Sequence, residues 1–210
     1  MALKINYLKT ENKHPSNIVL FSDEKFKISS LERYIDKNEI SYISDLLKTS
    51  DLKKNLLVFE LNSKKKIVLV SVKDKLKSSD IEGLGAEFYT RINLGKNSEY
   101  SVISDSLKSK HENFLSYFLH GIKLKSYSFN KYKTKKEDRK ISINVIGKKN
   151  IPSAQLKLKF KALEEGTFYA RDLVSEPGNV LHPDEYAKRL NSLRKDGLKI
   201  NVYDEKKLKK

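Results

Sequence analysis

The chain has 210 residues, which is enough for one domain or for a domain and part of a second. It contains no cysteine, which excludes a disulfide scaffold, a zinc–thiolate site and a cysteine nucleophile. The formal net charge of +16 would suit nucleic acids, but arginine is scarce and lysines are spread along the whole chain, often beside acids. A solvated lysine-rich surface is therefore the favoured interpretation, and nucleic-acid binding is the less favoured one.

The start of the chain carries no targeting pattern. Its first ten residues, MALKINYLKT, lack the apolar core of a signal peptide, and the longest apolar runs of the chain have only the length of a strand. We therefore predict a soluble, cytoplasmic protein with no membrane partner.

Strand and helix patterns alternate through the first two thirds of the chain. Short apolar or alternating runs predict strands at residues 18–22, 55–61, 66–72, 100–104 and 139–147. Apolar residues at helical spacing predict helices at residues 38–48, 78–92 and 112–122. The polar turn NSKKK predicts a hairpin between the second and third strands. This alternation predicts an α/β domain that ends near Lys148.

A polar stretch with glycine and proline, residues 147–155, predicts a boundary. Apolar residues at helical spacing predict a long helix over residues 156–174, and Pro177 ends it. Pro183 starts a further helix, and we predict that Tyr186, Leu190 and Leu193 form its buried stripe.

Gly197 ends that helix, residues 198–204 alternate like a strand, and Asp204 is placed to cap a last short helix. These few elements cannot bury their own apolar faces, because an α/β unit needs more strands. They predict the opening of a second domain. The alternative is a terminal appendage that packs on the first domain.

Motifs that carry chemistry are scarce. The four histidines, at positions 14, 111, 120 and 182, have no metal-ligand spacing, and we predict that His120 lies at the edge of the core.

Gly83 and Gly85 lie in a helical pattern and predict close helix packing rather than a nucleotide loop. Residues 126–136 alternate aromatic and basic side chains, as a single-strand nucleic-acid groove does. The favoured interpretation of this segment is a strand in which Tyr127 and Phe129 face inward.

Two blocks resemble the leucyl (cytosol) aminopeptidase family of dinuclear metallopeptidases. Residues 164–210, EEGTFYARDLVSEPGNVLHPDEYAKRLNSLRKDGLKINVYDEKKLKK, resemble the start of its catalytic domain. The matching positions are Glu165, Gly166, Ala170, Arg171, Asp172, Leu173, Glu176, Pro177, Asn179, Pro183, Gly197, Val202 and Asp204. Residues 121–136, GIKLKSYSFNKYKTKK, resemble a segment near the end of its N-terminal domain, through Gly121, Tyr127, Phe129, Tyr132 and Lys133. Ser175, His182 and Asn130 depart from the family's usual residues.

The resemblance implies a domain order: a macro-like three-layer α/β domain at residues 1–148, a linker helix at 149–174, and the incomplete start of the catalytic domain at 175–210. It implies that the complete protein is a cytoplasmic metalloaminopeptidase, a homo-hexamer that releases N-terminal amino acids from peptides. Two divalent ions, manganese or zinc, would serve that reaction.

The family's metal ligands and catalytic residues lie downstream of the matched motifs. The resemblance therefore assigns no catalytic, metal-binding or substrate-binding residue to this chain, which we expect to be inactive and metal-free by itself. Arg171, Asp172 and Glu176 are predicted to be structural, tying the linker helix to the turn at Pro177. Two alternatives stay open: a stand-alone basic macro-like module that binds nucleotide or nucleic acid, and a scaffold remnant that joins hexamers without activity.

Overall fold

The computed structural model describes residues 2–9, 17–92, 98–134 and 140–209. His14, residues 135–136 of the aromatic–basic segment and Arg139 of a predicted strand lie outside the described residues. The chain divides into two compact units, a first unit at Met1–Glu164 and a second unit at Glu165–Lys210. The three-part domain division at residues 148 and 174 stays a prediction.

The first unit is built around one mixed sheet. Its strands are β1 (Ala2–Leu8), β2 (Asn17–Ser22), β3 (Leu56–Asn62), β4 (Lys65–Ser71), β5 (Ser98–Ile103) and β6 (Lys140–Ile146). They lie in the order β1-β6-β5-β2-β4-β3. All neighbours are parallel except β3 and β4, which form the predicted antiparallel hairpin.

Six α-helices accompany the sheet along the chain. They are α1 (Lys37–Thr49), α2 (Ser78–Ile92), α3 (Phe114–Lys125), α4 (Ala154–Ser175), α5 (Pro183–Asn191) and α6 (Glu205–Leu208), among the described residues. The predicted helices at residues 38–48, 78–92, 112–122 and 156–174 are confirmed. Their apolar spacing was a sufficient local signal.

Both faces of the sheet are covered, which gives three layers. Alternate residues of β2 point to opposite sides: Val19 and Phe21 pack in the core that contains α2 and α3, while Ile18 and Leu20 pack in the core that contains α1. The predicted α/β fold class is confirmed. The comparison with macro domains stays a prediction.

Helices α2 and α3 pack closely because two glycines remove side chains from their contact. A Cβ atom on Gly85 would lie 2.0 Å from the carbonyl oxygen of Phe118, and one on Gly121 would lie 2.0 Å from that of Glu82. A Cβ atom on Gly83 would meet nothing within 4 Å. The prediction of close helix packing is therefore confirmed for Gly85.

Strand β1 was not predicted. Leu3 and Ile5 pack against the core from this strand, while Lys4 is exposed. Because β1 is an edge strand, paired with β6 alone, its apolar signal is weak.

Two predicted strands are wrong. Residues 198–204 and 127–130 have no regular structure. A strand forms only against a partner strand, and no described strand pairs with either segment. The rings of Phe129 and Tyr132 instead pack on each other, with centroids 5.8 Å apart.

The predicted buried stripe of α5 is also wrong. No residue of α5 is buried, and Tyr186 is 43% exposed. The stripe stays exposed because the described residues of the second unit form no sheet on which it could pack. The turn at Gly197 is confirmed by its φ of +86°, and the Asp204 cap by a hydrogen bond from the Lys207 N–H.

Candidate functional site

The carboxyl ends of β5 and β6 are the part of the first unit where polar side chains and loops converge. Ligands of open α/β sheets bind outside the carboxyl ends of parallel strands. Here β5 continues into the segment Ser104–Asn113, and β6 continues into Gly147–Pro152. Because β5 and β6 are neighbours in the sheet, these two segments lie side by side.

Asp105 joins the two segments through its carboxylate. Its Oδ1 atom accepts hydrogen bonds from the backbone N–H groups of Lys148 (2.8 Å) and Lys149 (2.6 Å). Burial by itself would raise the pKa of Asp105, but these two hydrogen bonds and the nearby charge of Arg33 lower the pKa below its usual value. Gly147 permits the close approach: its φ is +140°, and a Cβ atom there would lie 2.2 Å from Ser104 Oγ.

Asn150 forms the second link between the segments. Its side-chain amide donates to the carbonyl oxygens of Ser104 and Leu107, both at 3.0 Å. Its backbone has a φ of +60°, a left-handed conformation that asparagine tolerates better than most residues. The two segments are therefore fixed to each other by side chains from both sides.

A cavity of about 310 Å³ lies between these segments and the first turn of α3. Its lining comprises Leu107, Ser109, Lys110, His111, Glu112, Asn113, Phe114, Leu115, Ser116, Asn150, Ile151 and Pro152. This volume is at the lower end of the range for small-molecule sites.

His111 fixes one wall of the cavity. Its Nδ1 atom lies 2.5 Å from the carbonyl oxygen of Glu112, and its Nε2 atom lies 3.3 Å from Ser78 Oγ. The ring also packs edge-on against Tyr117, with centroids 5.5 Å apart. With Nδ1 donating to the carbonyl oxygen, Nε2 of the neutral ring accepts from the serine hydroxyl.

A further histidine of this unit, His120, is 6% exposed and lies at the edge of the core, as predicted. Its Nδ1 atom lies 3.1 Å from Glu82 Oε1, and its ring centroid lies 4.8 Å from that of Phe160. The His120 side chain is therefore packed against its neighbours.

The described residues contain no group of three or more His, Cys, Asp or Glu side chains that could hold a metal ion. A dinuclear metal centre therefore does not fit the residues that the structure describes. None of their helices has both the length and the apolar character that a membrane span needs.

In the second unit, Glu176, which follows the last residue of α4, is linked to α5, while the predicted tie of Arg171, Asp172 and Glu176 to the turn at Pro177 stays a prediction. The Oε1 atom of Glu176 accepts from Arg189 Nη1 at 3.0 Å, and Arg189 Nε donates to Glu185 Oε1 at 3.0 Å. The Glu176 side chain is 2% exposed. The hydrogen bond from Arg189 lowers the pKa of Glu185. Arg189 was not predicted, although its spacing of four residues from Glu185 on a helix was a usable signal.

No family model matches the chain. Among curated proteins, it is 29% identical to a probable cytosol aminopeptidase of Nitrobacter winogradskyi, over 100% of this chain and 44% of that protein. A shorter match, 39% identical, links 46% of this chain to 21% of a probable cytosol aminopeptidase of Clostridium perfringens. The chain thus spans less than half the length of the curated relatives it matches.

Solved structures with the same fold have lower identity. A mutant of tomato leucine aminopeptidase matches 99% of this chain with a TM-score of 0.69 and 16% identity, over 46% of its own length. The bottromycin maturation enzyme BotP, solved with Mn, matches 93% of this chain with a TM-score of 0.62 and 13% identity, over 40% of its own length. These likenesses concern the fold. Together with the sequence relatives, they show that the chain is similar, in sequence and in fold, to the N-terminal region of leucyl (cytosol) aminopeptidases.

Proposed function

We propose that the complete protein is a metalloaminopeptidase that releases N-terminal amino acids from peptides, and that residues 1–210 form its N-terminal part. The observation that supports this most is the 29% identity to a cytosol aminopeptidase over the whole chain. It extends over both units, so it is not limited to one widespread domain. In this proposal residues 1–148 form the macro-like domain, 149–174 the linker helix, and 175–210 the start of the catalytic domain.

Two divalent metal ions, manganese or zinc, serve the reaction in this proposal. One relative in fold, BotP, was solved with Mn. Because the described residues offer no metal-binding group, the proposal assigns the metal ligands to a region of the complete protein beyond these 210 residues. The chain by itself is then inactive and binds no metal pair.

The surface of the second unit supports a larger protein. Val174 is 88% exposed, Tyr203 is 64% exposed and Leu208 is 73% exposed, and no residue of the described second unit is buried. Apolar side chains on elements this short are stabilised when further protein covers them. In the proposal, the rest of a catalytic domain covers them, within a cytoplasmic homo-hexamer.

The alternative of a stand-alone module for nucleotide or nucleic acid gains no support from these relatives, whose names describe aminopeptidases. The net charge of +16 alone does not favour it, because a solvated lysine-rich surface without a binding role accounts for the same charge.

The test is to capture the protein from its native source with an antibody raised against the 210-residue chain. We expect the captured protein to hydrolyse leucine p-nitroanilide with added Mn²⁺ and to lose this activity with a chelator. The purified 210-residue chain is the matched control and is expected to be inactive under the same conditions. An inactive captured protein would contradict the assigned reaction, and turnover by the 210-residue chain would contradict the assignment of the catalytic residues to another region.

A further inference from the structure

We propose that Ser78 and His111 form a nucleophile–base pair that hydrolyses small carboxylic esters. The Ser78 hydroxyl oxygen lies 3.3 Å from His111 Nε2. A serine becomes a nucleophile when an adjacent base accepts its proton, and hydrogen bonds of this kind are often longer before a substrate binds. This reaction needs no metal ion and is separate from the proposed peptidase activity.

The His111 ring is held in the tautomer that this role requires. Its Nδ1 atom lies 2.5 Å from the carbonyl oxygen of Glu112, which accepts hydrogen bonds but cannot donate them. The proton of the neutral ring is therefore on Nδ1, and Nε2 directs its lone pair to the Ser78 hydroxyl. The Glu112 carbonyl orients the base, as the third member of a serine–histidine triad does.

Other contacts hold the segments that carry the pair. Tyr117 packs edge-on against the His111 ring, with centroids 5.5 Å apart, and the His111 backbone N–H donates to Ser109 Oγ at 3.0 Å. An ion pair between Lys110 and Asp74, at 2.7 Å, joins the segment before α3 to the segment before α2. Reacting groups that are held in position before the substrate arrives lower the entropic part of the barrier.

Ser78 also lies where negative charge is stabilised. It is the first residue of α2, and its N–H group belongs to the first turn, where N–H groups have no acceptor within the helix. This group and the helix dipole are suited to the oxyanion that forms when the Ser78 oxygen attacks a carbonyl carbon. Ser78 and His111 are only partly buried, so a small ester has access to both.

The cavity of about 310 Å³ gives the class of substrate. It adjoins the pair because His111 is part of its lining. Leu107, Ile151 and Pro152 form an aliphatic wall of the same cavity. Such a wall favours a short hydrocarbon chain, and the volume admits only a small molecule. The acyl group of the ester is therefore a short aliphatic one.

The reaction has two steps. In the first, the Ser78 oxygen bonds to the ester carbonyl carbon and its proton passes to His111 Nε2. The bond from this carbon to the alcohol oxygen breaks, and the alcohol leaves with the proton from His111. In the second, water attacks the acyl group, its proton returns through His111 to the Ser78 oxygen, and the carboxylic acid leaves.

The first experiment is to label the 210-residue chain with diisopropyl fluorophosphate and to locate the product by peptide mass spectrometry. The reagent forms a bond from phosphorus to an activated serine oxygen, and fluoride leaves. We expect one adduct, at Ser78, and we expect it to be absent when the chain is unfolded in urea before labelling.

The second experiment is hydrolysis of 4-nitrophenyl butyrate by the same chain. Lysine amines also attack this ester, so the labelled chain is the reference. We expect the unlabelled chain to turn over the ester and the labelled chain to retain only the background rate.

The decisive variant is His111→Gln, which removes the base and keeps Ser78. We expect it to slow labelling of Ser78 by about a hundredfold or more, the usual contribution of a general base. Ser79→Ala is the matched control, because Ser79 is the next residue of α2 and is exposed. It should leave both labelling and turnover unchanged. A circular-dichroism melt of each variant checks that it is folded.

A Ser78–His111 contact that serves only as a structural link would give different results. Ser78 would then react with the fluorophosphate no faster than the other serines of the folded wild-type chain, which would overturn the proposal whatever the variants do. Undiminished labelling of a folded His111→Gln variant, or equal ester turnover by the labelled and unlabelled chains, would also overturn it.

Discussion

The two units differ in how far their side chains are buried. In the first unit, Met1–Glu164, both faces of a sheet are covered and the core side chains are almost completely buried. In the second unit, Glu165–Lys210, the helices α5 and α6 form, but none of their residues is buried. Local signals are thus enough to start and end a helix, whereas burial requires neighbouring elements.

Helix α4 offers the sharpest contrast, because one helix carries both kinds of apolar residue. Phe160 is 7% exposed and packs against the rings of Tyr117 and His120, while Val174 is 88% exposed. We expect Phe160→Ala to lower the free energy of unfolding by about 3 kcal/mol or more and Val174→Ala to change it by less than about 0.5 kcal/mol. Urea denaturation measures both. Equal losses would show that the described burial is wrong for one end of the helix.

The contact of α2 with α3 tests the packing of the first unit. Gly85→Ala should lower the free energy of unfolding by about 1–3 kcal/mol, because its new methyl group meets the backbone of Phe118. Gly83→Ala on the same helix is the matched control, and it should raise stability by up to about 1 kcal/mol, since its Cβ atom meets nothing. Equal changes in stability of the two variants on thermal unfolding would contradict the described packing of α2 on α3.

In the second unit, Arg189 of α5 contacts two carboxylates, those of Glu176 and Glu185. Arg189→Ala removes the link between Glu176 and Glu185 and should speed hydrogen exchange of the α5 amides. Lys188→Ala should have a smaller effect, because its ammonium lies 3.9 Å from Glu185 and is largely exposed. Exchange rates of the β-sheet amides serve as an internal reference. Faster exchange in the sheet, with α5 unchanged, would contradict this division.

The pH dependence of the Asp105 link should be the smallest of these effects. Its pKa is lower in the folded protein than the usual value, so its contribution to stability is complete above the unfolded-state pKa and is lost as the pH falls through the folded pKa. A ¹³C titration of the carboxyl group should show a midpoint below that of an unfolded aspartate. Asp105→Asn should remove this part of the acid-induced loss of stability, and an unshifted midpoint would rule out the link.

The sequence predicted what short-range patterns determine. The helices α2, α3 and α4 follow from apolar spacing, and the close approach at Gly85 follows from a glycine inside such a pattern. The failed strand at residues 198–204 shows the limit, because its alternating pattern requires a partner strand. Strand β1 shows the converse: a partner in β6 makes a strand from a weak pattern.

The candidate site was beyond prediction for a related reason. Its cavity joins residues 107–116 to residues 150–152, and only the neighbouring positions of β5 and β6 in the sheet bring them together. The links from Asp105 and Asn150 span more than forty residues of sequence, and no spacing rule covers that range. The resemblance to cytosol aminopeptidases depended instead on residue types in two blocks.

The most direct test of the account is the intact mass of the protein from its native source. The account predicts a mass of about twice 24.3 kDa, because the chain spans 44% of a relative that it matches over its whole length. A mass of 24.3 kDa would contradict it, since the natural product would then be this chain without a metal-bearing region.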